Sequence, residues 1–285
     1  MLGFCVLAPL GDSMAKLLGG VVALPLLLLA RFGIQALLLW PVVLARGMAW
    51  RVRGRVAALI WLRAVLHIAG IGFMFSALRY LPLADALAIA FVMPFIMLLL
   101  GHLVLGEEVG RVRLTACAVG FAGTLLVIQP NFAAVGLPAL LPLAVAVIFA
   151  LFMLVTRQIA RVLDPVALQA VSGVQASLLL LPALWVSGPL TLPGPGALGL
   201  LVAMGVLGTV AHLLMTWSLR FAPASTLAPM QYLEIPFGTV FGWLIFRDLP
   251  DGLAAVGIVV TLAAGLYIIA RERRQSRPAA RPAAG

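Results

Sequence analysis

Long apolar stretches dominate this sequence and restrict the folds that it can adopt. Of its 285 residues, 64% are hydrophobic and only 10% are charged, whereas soluble domains carry about 25% charged residues. A water-soluble protein covers its surface with polar side chains, and this chain has too few of them. The composition therefore excludes a soluble enzyme and predicts an integral membrane protein.

Polar, glycine-rich and proline-rich positions divide the chain into ten segments, most of them close to the roughly 20 residues that a spanning helix needs. The segments are 1–18, 24–45, 57–79, 82–104, 113–130, 138–156, 165–187, 197–219, 224–246 and 253–270. We therefore expect an all-α integral membrane protein with ten transmembrane helices. The first segment has neither a basic start nor a small-residue cleavage site, so we interpret it as a retained helix.

Arginines are distributed unequally between the two ends of these helices. With both termini in the cytoplasm, only Arg79 and Arg247 fall in outside loops. The cytoplasmic side holds Arg46, Arg51, Arg53, Arg55, Arg111, Arg113, Arg157, Arg161, Arg220, Arg271, Arg273, Arg274, Arg277 and Arg281. Positive residues favour cytoplasmic loops, so we expect a multi-pass protein of the cell inner (plasma) membrane with both termini inside. The net charge of +10 then reflects topology, and we expect no nucleic-acid partner.

Two stretches about half a chain apart, beginning at Ala77 and Ser218, resemble each other. The matched pairs are Arg79 with Arg220, Tyr80 with Phe221, Pro82 with Pro223, Pro94 with Pro236, Gly101 with Gly242, and Glu107 with Asp248. They predict two five-helix repeats, 1–130 and 138–270, followed by a basic disordered cytoplasmic tail, 271–285. An odd number of helices inverts the second copy, which is typical of transporters that work by alternating access. A duplicated scaffold without transport is the alternative.

The sequence resembles the drug/metabolite transporter superfamily and, within it, the EamA-type ten-helix carriers. The resemblance rests on Leu78-Arg79-Tyr80-Leu81-Pro82, Pro94, Gly106-Glu107-Glu108, Gly120, Gly123 and Gln129-Pro130. Similarity to the S-adenosylmethionine and riboflavin uptake branches rests on Gly11-Asp12-Ser13-Met14-Ala15-Lys16, Ala30-Arg31-Phe32, Gln231-Tyr232-Leu233-Glu234 and Phe246-Arg247-Asp248-Leu249-Pro250. The resemblance implies a carrier for a small organic metabolite.

Glu234 is the acid expected closest to the membrane midplane, and Pro236 after it would kink the helix. Burying a charge in a bilayer costs about 2.5–3.5 kcal/mol on insertion scales, which makes such residues candidates for function. Glu234 would suit proton coupling or recognition of a cationic substrate group. Alternatively, it is a structural partner for Arg63 or His67. Those two residues lie four positions apart on one helix face, and we also consider them as substrate contacts.

Asp12 and Arg31 are expected at similar depths on neighbouring antiparallel helices. They form either a neutral pair that fixes helix packing, with Lys16 extending outward, or the outer wall of a substrate cavity. His102 and His212 are interpreted as structural residues.

Four further residues lie at depths where they could stack on or orient a planar ligand: Phe91, Gln231, Tyr232 and Trp217. Pro94 and Pro236 lie at matching depths and predict that the fourth and ninth spans are the moving gates. Gly238 and Gly242 have the GxxxG spacing of closely packed helices, which is compatible with a homodimer.

The function that these features favour is secondary transport of a small organic metabolite by alternating access, with a midplane site between the repeats. No GxxxxGK[ST], HExxH or GxSxG motif occurs, so we expect no ATP drive, catalytic residue, metal or cofactor. A lipid flippase or accessory membrane subunit is the alternative, and a membrane-embedded enzyme is the less favoured one. The charges within helices hint at an anionic substrate, whereas the S-adenosylmethionine resemblance implies a cationic or zwitterionic one.

Overall fold

The computed structural model describes residues 1–81, 83–128, 136–186, 193–247 and 252–275. Within these ranges the chain is helical and has no strand. The helices are α1 (Leu2–Leu18), α2 (Leu24–Ala45), α3 (Gly54–Ala77), α4 (Leu83–Ala90), α5 (Met93–Leu105), α6 (Arg111–Ile128), α7 (Leu140–Ala160), α8 (Pro165–Val186), α9 (Pro195–Phe221), α10 (Ala224–Leu227), α11 (Glu234–Phe241) and α12 (Gly252–Gln275). Five of them, α2, α3, α7, α8 and α9, are long and apolar enough to cross a membrane. Pro82, Gln129, Pro130, Asp248 and the tail beyond residue 275 lie outside the described ranges.

Two of the predicted spans are interrupted rather than continuous helices. The span predicted at 82–104 is divided into α4 and α5 at Phe91 and Val92, immediately before Pro94. The span predicted at 224–246 consists of α10, a 3-10 segment (Ala228–Leu233), α11 and a π-helical turn (Gly242–Phe246). Proline lacks a backbone N–H and is accommodated at the start of a helix. Pro94 accordingly lies in the first turn of α5, and Pro229 in the first turn of the 3-10 segment.

The two halves of the chain pack against each other in a symmetric pattern. Helix α1 contacts α9, α3 contacts α7, α2 contacts α8, and α6 contacts α12. The divided spans also meet, because α4 contacts α11 and α5 contacts α10. Exchanging the first five spans for the second five leaves this set of pairs unchanged. The core of the molecule is therefore an interface between the halves rather than a separate core within each.

A glycine allows α6 and α12 to approach closely. A Cβ at Gly123 would lie 2.9 Å from the backbone oxygen of Gly257 and 2.9 Å from Val260 Cγ1. Because lipid supplies no hydrophobic drive for helix association, close packing of this kind holds membrane helices together.

A buried carboxylate joins four helical segments at the arginine-rich ends of the spans. Glu107, just after α5, accepts hydrogen bonds from the backbone N–H groups of Ala224 (3.2 Å) and Ser225 (2.9 Å). It also lies 3.7 Å from Arg157 Nε on α7. The same arginine donates to the carbonyl oxygens of Leu219 and Arg220 at the end of α9. Glu107 thus satisfies the free N–H groups at the start of α10 and ties the halves together.

We expect Gly123→Ala to destabilise the protein by about 1–3 kcal/mol, because the added methyl group would overlap the α12 backbone. The melting temperature in detergent measures this. The control is Gly199→Ala in α9, where a Cβ meets nothing within 4 Å. That substitution should leave the melting temperature unchanged or raise it slightly. Equal stability of the two variants would contradict close packing at Gly123.

We expect Glu107→Ala to cost about 3 kcal/mol of stability, because it leaves a buried arginine and two N–H groups without their carboxylate. The adjacent Glu108→Ala provides a matched control, since the hydrogen bond of Glu108 to Arg113 in the described part of the chain uses its backbone oxygen, which the substitution keeps. Its free energy of unfolding should stay within about 0.5 kcal/mol of that of the unmodified protein. A Glu107→Ala protein as stable as this control would show that the link between the halves contributes little.

Candidate functional site

A cavity lies between the two halves of the chain. It has room for several water-sized groups, about 80 Å³, and its wall is mainly aromatic and aliphatic. The first half contributes Phe4, Gly11, Asp12, Arg31, Met74, Phe75 and Phe91 among other residues, and the second half contributes Val145, Phe149, Met204, Gly208, His212 and Glu234. An apolar pocket with a few converging polar groups is the usual form of a small-molecule site.

Helical periodicity explains how distant positions reach the same cavity. On α1, Phe4, Ala8 and Asp12 are spaced by four residues and share one face. On α9, Met204, Gly208 and His212 have the same spacing, and all six line the cavity. Each helix therefore presents one stripe to the cavity and packs elsewhere with its remaining faces.

Glu234 occupies the first position of α11, where the 3-10 segment ends. Its side chain lines the cavity, and only 7% of the residue is exposed. Its Oε1 atom is buried and has no hydrogen-bond partner among the described residues. A buried carboxyl oxygen without a donor is costly and leaves an acceptor for an incoming group.

Asp12 and Arg31 both line the same cavity. Arg31 is 2% exposed, and its guanidinium donates to Gln35 Oε1 (3.0 Å) and to His212 Nδ1 (2.9 Å). The hydrogen bonds of Arg31 within the described ranges thus go to neutral partners rather than to Asp12. Lys16 lies with its ammonium 4.7 Å from the centre of the Phe246 ring.

Arg63 and His67 are fully buried but are not among the residues that line the cavity. Arg63 donates to Thr156 Oγ1 (2.9 Å) and Ser172 Oγ (2.7 Å), and its guanidinium lies 4.6 Å from the centre of the Phe152 ring. The centroid of the His67 ring is 4.5 Å from that of the His212 ring and 4.9 Å from that of the Phe32 ring. Both residues lie behind the cavity wall, and their hydrogen bonds and ring contacts do not involve Glu234.

Of the four residues predicted to contact a planar ligand, one lines the cavity and three do not. Phe91 lines the cavity, and Tyr232 lies beside it, donating its O–H to the Phe91 carbonyl oxygen at 3.3 Å. Gln231 is buried and donates to the Met153 sulfur at 2.9 Å. Trp217 is 38% exposed and does not line the cavity.

Most wall residues were not selected from the sequence as contacts, among them Phe4, Phe149, Gly208 and His212. Helical spacing could have identified two of them. Phe4 lies eight positions before Asp12 and Gly208 four positions before His212, so each shares a helix face with a polar residue. Phe149 has no such neighbour in sequence and is identified only by the fold.

The chain was compared with known proteins. The profile of the EamA-like transporter family matches residues 3–129 and again residues 136–270. A riboflavin transporter of Rhizobium johnstonii is 31% identical over 76% of this chain and 72% of that protein. A pseudopaline exporter of Pseudomonas aeruginosa is 27% identical over 82% of both chains. An S-adenosylmethionine uptake transporter of Rickettsia prowazekii is 23% identical over 94% of this chain and 90% of that protein.

A solved crystal structure has the same fold, with a TM-score of 0.78, 21% sequence identity, and coverage of 96% of this chain and 97% of that one. The family profile covers nearly the whole chain, and its two matches fall on the two halves that form the cavity. The chain belongs to the EamA-like transporter family.

Proposed function

We propose that the protein is a secondary transporter that carries a small organic metabolite across the membrane by alternating access, with the substrate bound in the cavity described above. The observation that carries this proposal is that one buried cavity is lined by both halves and contains Asp12, Arg31 and Glu234. A site shared by two halves opens to either side when one half moves against the other. The relatives named as transporters support the same reaction class.

The arrangement of the halves supports two inverted repeats, residues 1–130 and 138–270. The family profile matches twice, and the contacts between the halves are symmetric on exchange. Each repeat has an odd number of predicted spans, which would place the copies in opposite orientations. With the arginine asymmetry, this gives a protein of the inner (plasma) membrane with both termini in the cytoplasm.

Metabolites of the kind named for the relatives require more room than the cavity of about 80 Å³ provides. Ligand sites for drug-sized molecules measure roughly 300–1,000 Å³. The cavity must therefore widen on loading. The spans are already interrupted next to this cavity. The break between α4 and α5 includes Phe91, which lines the cavity, and the 3-10 segment Ala228–Leu233 ends just before Glu234, which also lines it.

Uptake into proteoliposomes tests the proposal. Riboflavin, S-adenosylmethionine and a panel of amino acids and organic acids are offered in radiolabelled form, and at least one should enter faster than into protein-free liposomes. Glu234→Gln should lower that rate by at least about tenfold, because an amide replaces the carboxyl group proposed to contact the substrate. Glu108→Gln, a change outside the cavity, should leave it unchanged. Lack of uptake of every compound would contradict the proposal, and full activity of Glu234→Gln would move the site elsewhere.

Crosslinking tests whether the fourth and ninth spans move as gates. A Cβ at Gly238 on α11 would lie 2.5 Å from Leu87 Cδ1 on α4, so Leu87→Cys with Gly238→Cys should form a crosslink on oxidation. We expect transport of the compound identified above to fall by about tenfold or more and to recover on reduction. Each single cysteine variant, oxidised in the same way, is the control. Unchanged flux in the crosslinked protein would show that these spans do not separate during transport.

A further inference from the structure

Arg31 holds a buried positive charge at the cavity without a negatively charged hydrogen-bond partner in the described part of the chain. Its guanidinium donates to the Gln35 side-chain oxygen and to a ring nitrogen of His212. Arginine keeps its charge at neutral pH, and neutral acceptors satisfy its N–H groups without neutralising it. Asp12, which lines the same cavity, interacts with this charge electrostatically. In the described part of the chain it takes none of the hydrogen bonds of Arg31, so an anion can bind to the guanidinium.

A chain of glutamines fixes the orientation of the acceptor that holds Arg31. The Gln35 amide nitrogen donates to the backbone oxygen (2.7 Å) and side-chain oxygen (3.0 Å) of Gln169. Gln169 in turn donates to the backbone oxygen of His212 (2.8 Å) and to Thr216 Oγ1 (2.7 Å). Reversing the Gln35 amide would place its N–H₂ group against the donors of Arg31, so the network allows only one orientation.

Gly208 supplies the space that the guanidinium occupies. A Cβ at this position would overlap Nε and Cζ of Arg31. Gly208 lies one helical turn before His212 on α9, and both residues line the cavity. Helix α9 thus supplies a surface for the planar group and a ring acceptor for one of its N–H groups. The hydrogen bonds to Gln35 and His212 use two of the five N–H groups of a guanidinium that lines the cavity.

We propose that Arg31 is the anion-binding group of the cavity, that the substrate carries a carboxylate or phosphate, and that Gln35, Gln169 and Gly208 are positioning residues for it. The inference rests on the transport function proposed above and names its substrate class. The resident negative group at this end of the cavity is Asp12, on the facing α1. Glu234 contributes an acceptor from α11 and suits an N–H group of the same substrate.

The second buried guanidinium provides an internal comparison. Arg63 is also held by neutral partners, Thr156 and Ser172, but it lies behind the wall and does not line the cavity. Arg63 is thus buried among neutral partners as Arg31 is, but a ligand in the cavity would not contact it. Ser172→Ala therefore removes one neutral partner from a guanidinium that should not bind substrate.

Binding of a matched pair of small probes tests the inference without knowledge of the natural substrate. The probes are 3-phenylpropanoate and 3-phenylpropanamide, which share an aromatic body that suits the phenylalanine-lined cavity and differ in charge. Their dissociation constants are measured with the full chain in detergent. The carboxylate should bind the unmodified protein and Ser172→Ala more tightly than the amide does. Arg31→Gln should abolish the preference, and Gln35→Leu, Gln169→Leu and Gly208→Ala should weaken carboxylate binding by about tenfold.

The preference for carboxylate over amide separates positioning from a merely structural role. A structural role for Gln35, Gln169 or Gly208 would lower the melting temperature without ligand but leave this preference unchanged. If Arg31→Gln does not fold, these three variants, which keep the charge, are used instead. Loss of the carboxylate preference in them supports the inference, and an unchanged preference contradicts it. Equal binding of the two probes, no binding of the carboxylate, or an intact preference in Arg31→Gln would each overturn the inference. Uptake that requires Glu234 would still support the transport function in those cases.

Discussion

A guanidinium group buried in a membrane bundle depends on the protein for hydrogen-bond acceptors, because lipid chains offer none. Arg31 and Arg63 are both in this position. The network around Arg31 joins α2, α8 and α9 through Gln35, Gln169 and His212. The partners of Arg63 come from α7 and α8. Since all of these acceptors except Gln35 lie on other helices, satisfying two arginines constrains the mutual arrangement of the five long apolar helices α2, α3, α7, α8 and α9.

Access to a ligand distinguishes the two arginines although their local chemistry is similar. The Phe152 ring covers the guanidinium of Arg63, and this buried charge stabilises the helix interface at best weakly, because its desolvation opposes its hydrogen bonds. Arg31 lies on Gly208, and the cavity is open beside it. Arg31 has lost favourable interactions with water on burial. An anion that enters the cavity would replace part of them, so a negatively charged substrate would bind more tightly than a neutral one.

Much of the helical layout could be predicted from the sequence, and less of the site. The apolar segment 24–45 coincides with α2, because Pro25 suits the first turn of a helix and Arg46 and Gly47 end the apolar stretch. Pro94 and Pro236 lie in the two interrupted spans, but Pro236 is within α11, and the sequence did not predict the 3-10 segment and the π turn of the ninth span. Spacing placed Arg63 and His67 on one face, yet spacing alone does not say which neighbour that face meets. The Gln35–Gln169 pair carries no local motif, because its members are 134 residues apart and meet only in the fold.

The contacts of Glu107 bear on how the cavity could open at the arginine-rich end. Its carboxylate holds the backbone N–H groups of Ala224 and Ser225, which begin the interrupted ninth span, and it lies beside Arg157 of α7. Backbone groups freed within a membrane must be satisfied again inside the protein. Alternating access therefore leaves two routes at this end. Either α5 and α10 move together as one body and separate from α7, or the carboxylate releases the N–H groups and water enters to replace it. The first route keeps both hydrogen bonds of the Glu107 carboxylate to the backbone of α10 and breaks only its ion pair with Arg157. We expect it to be the less costly of the two.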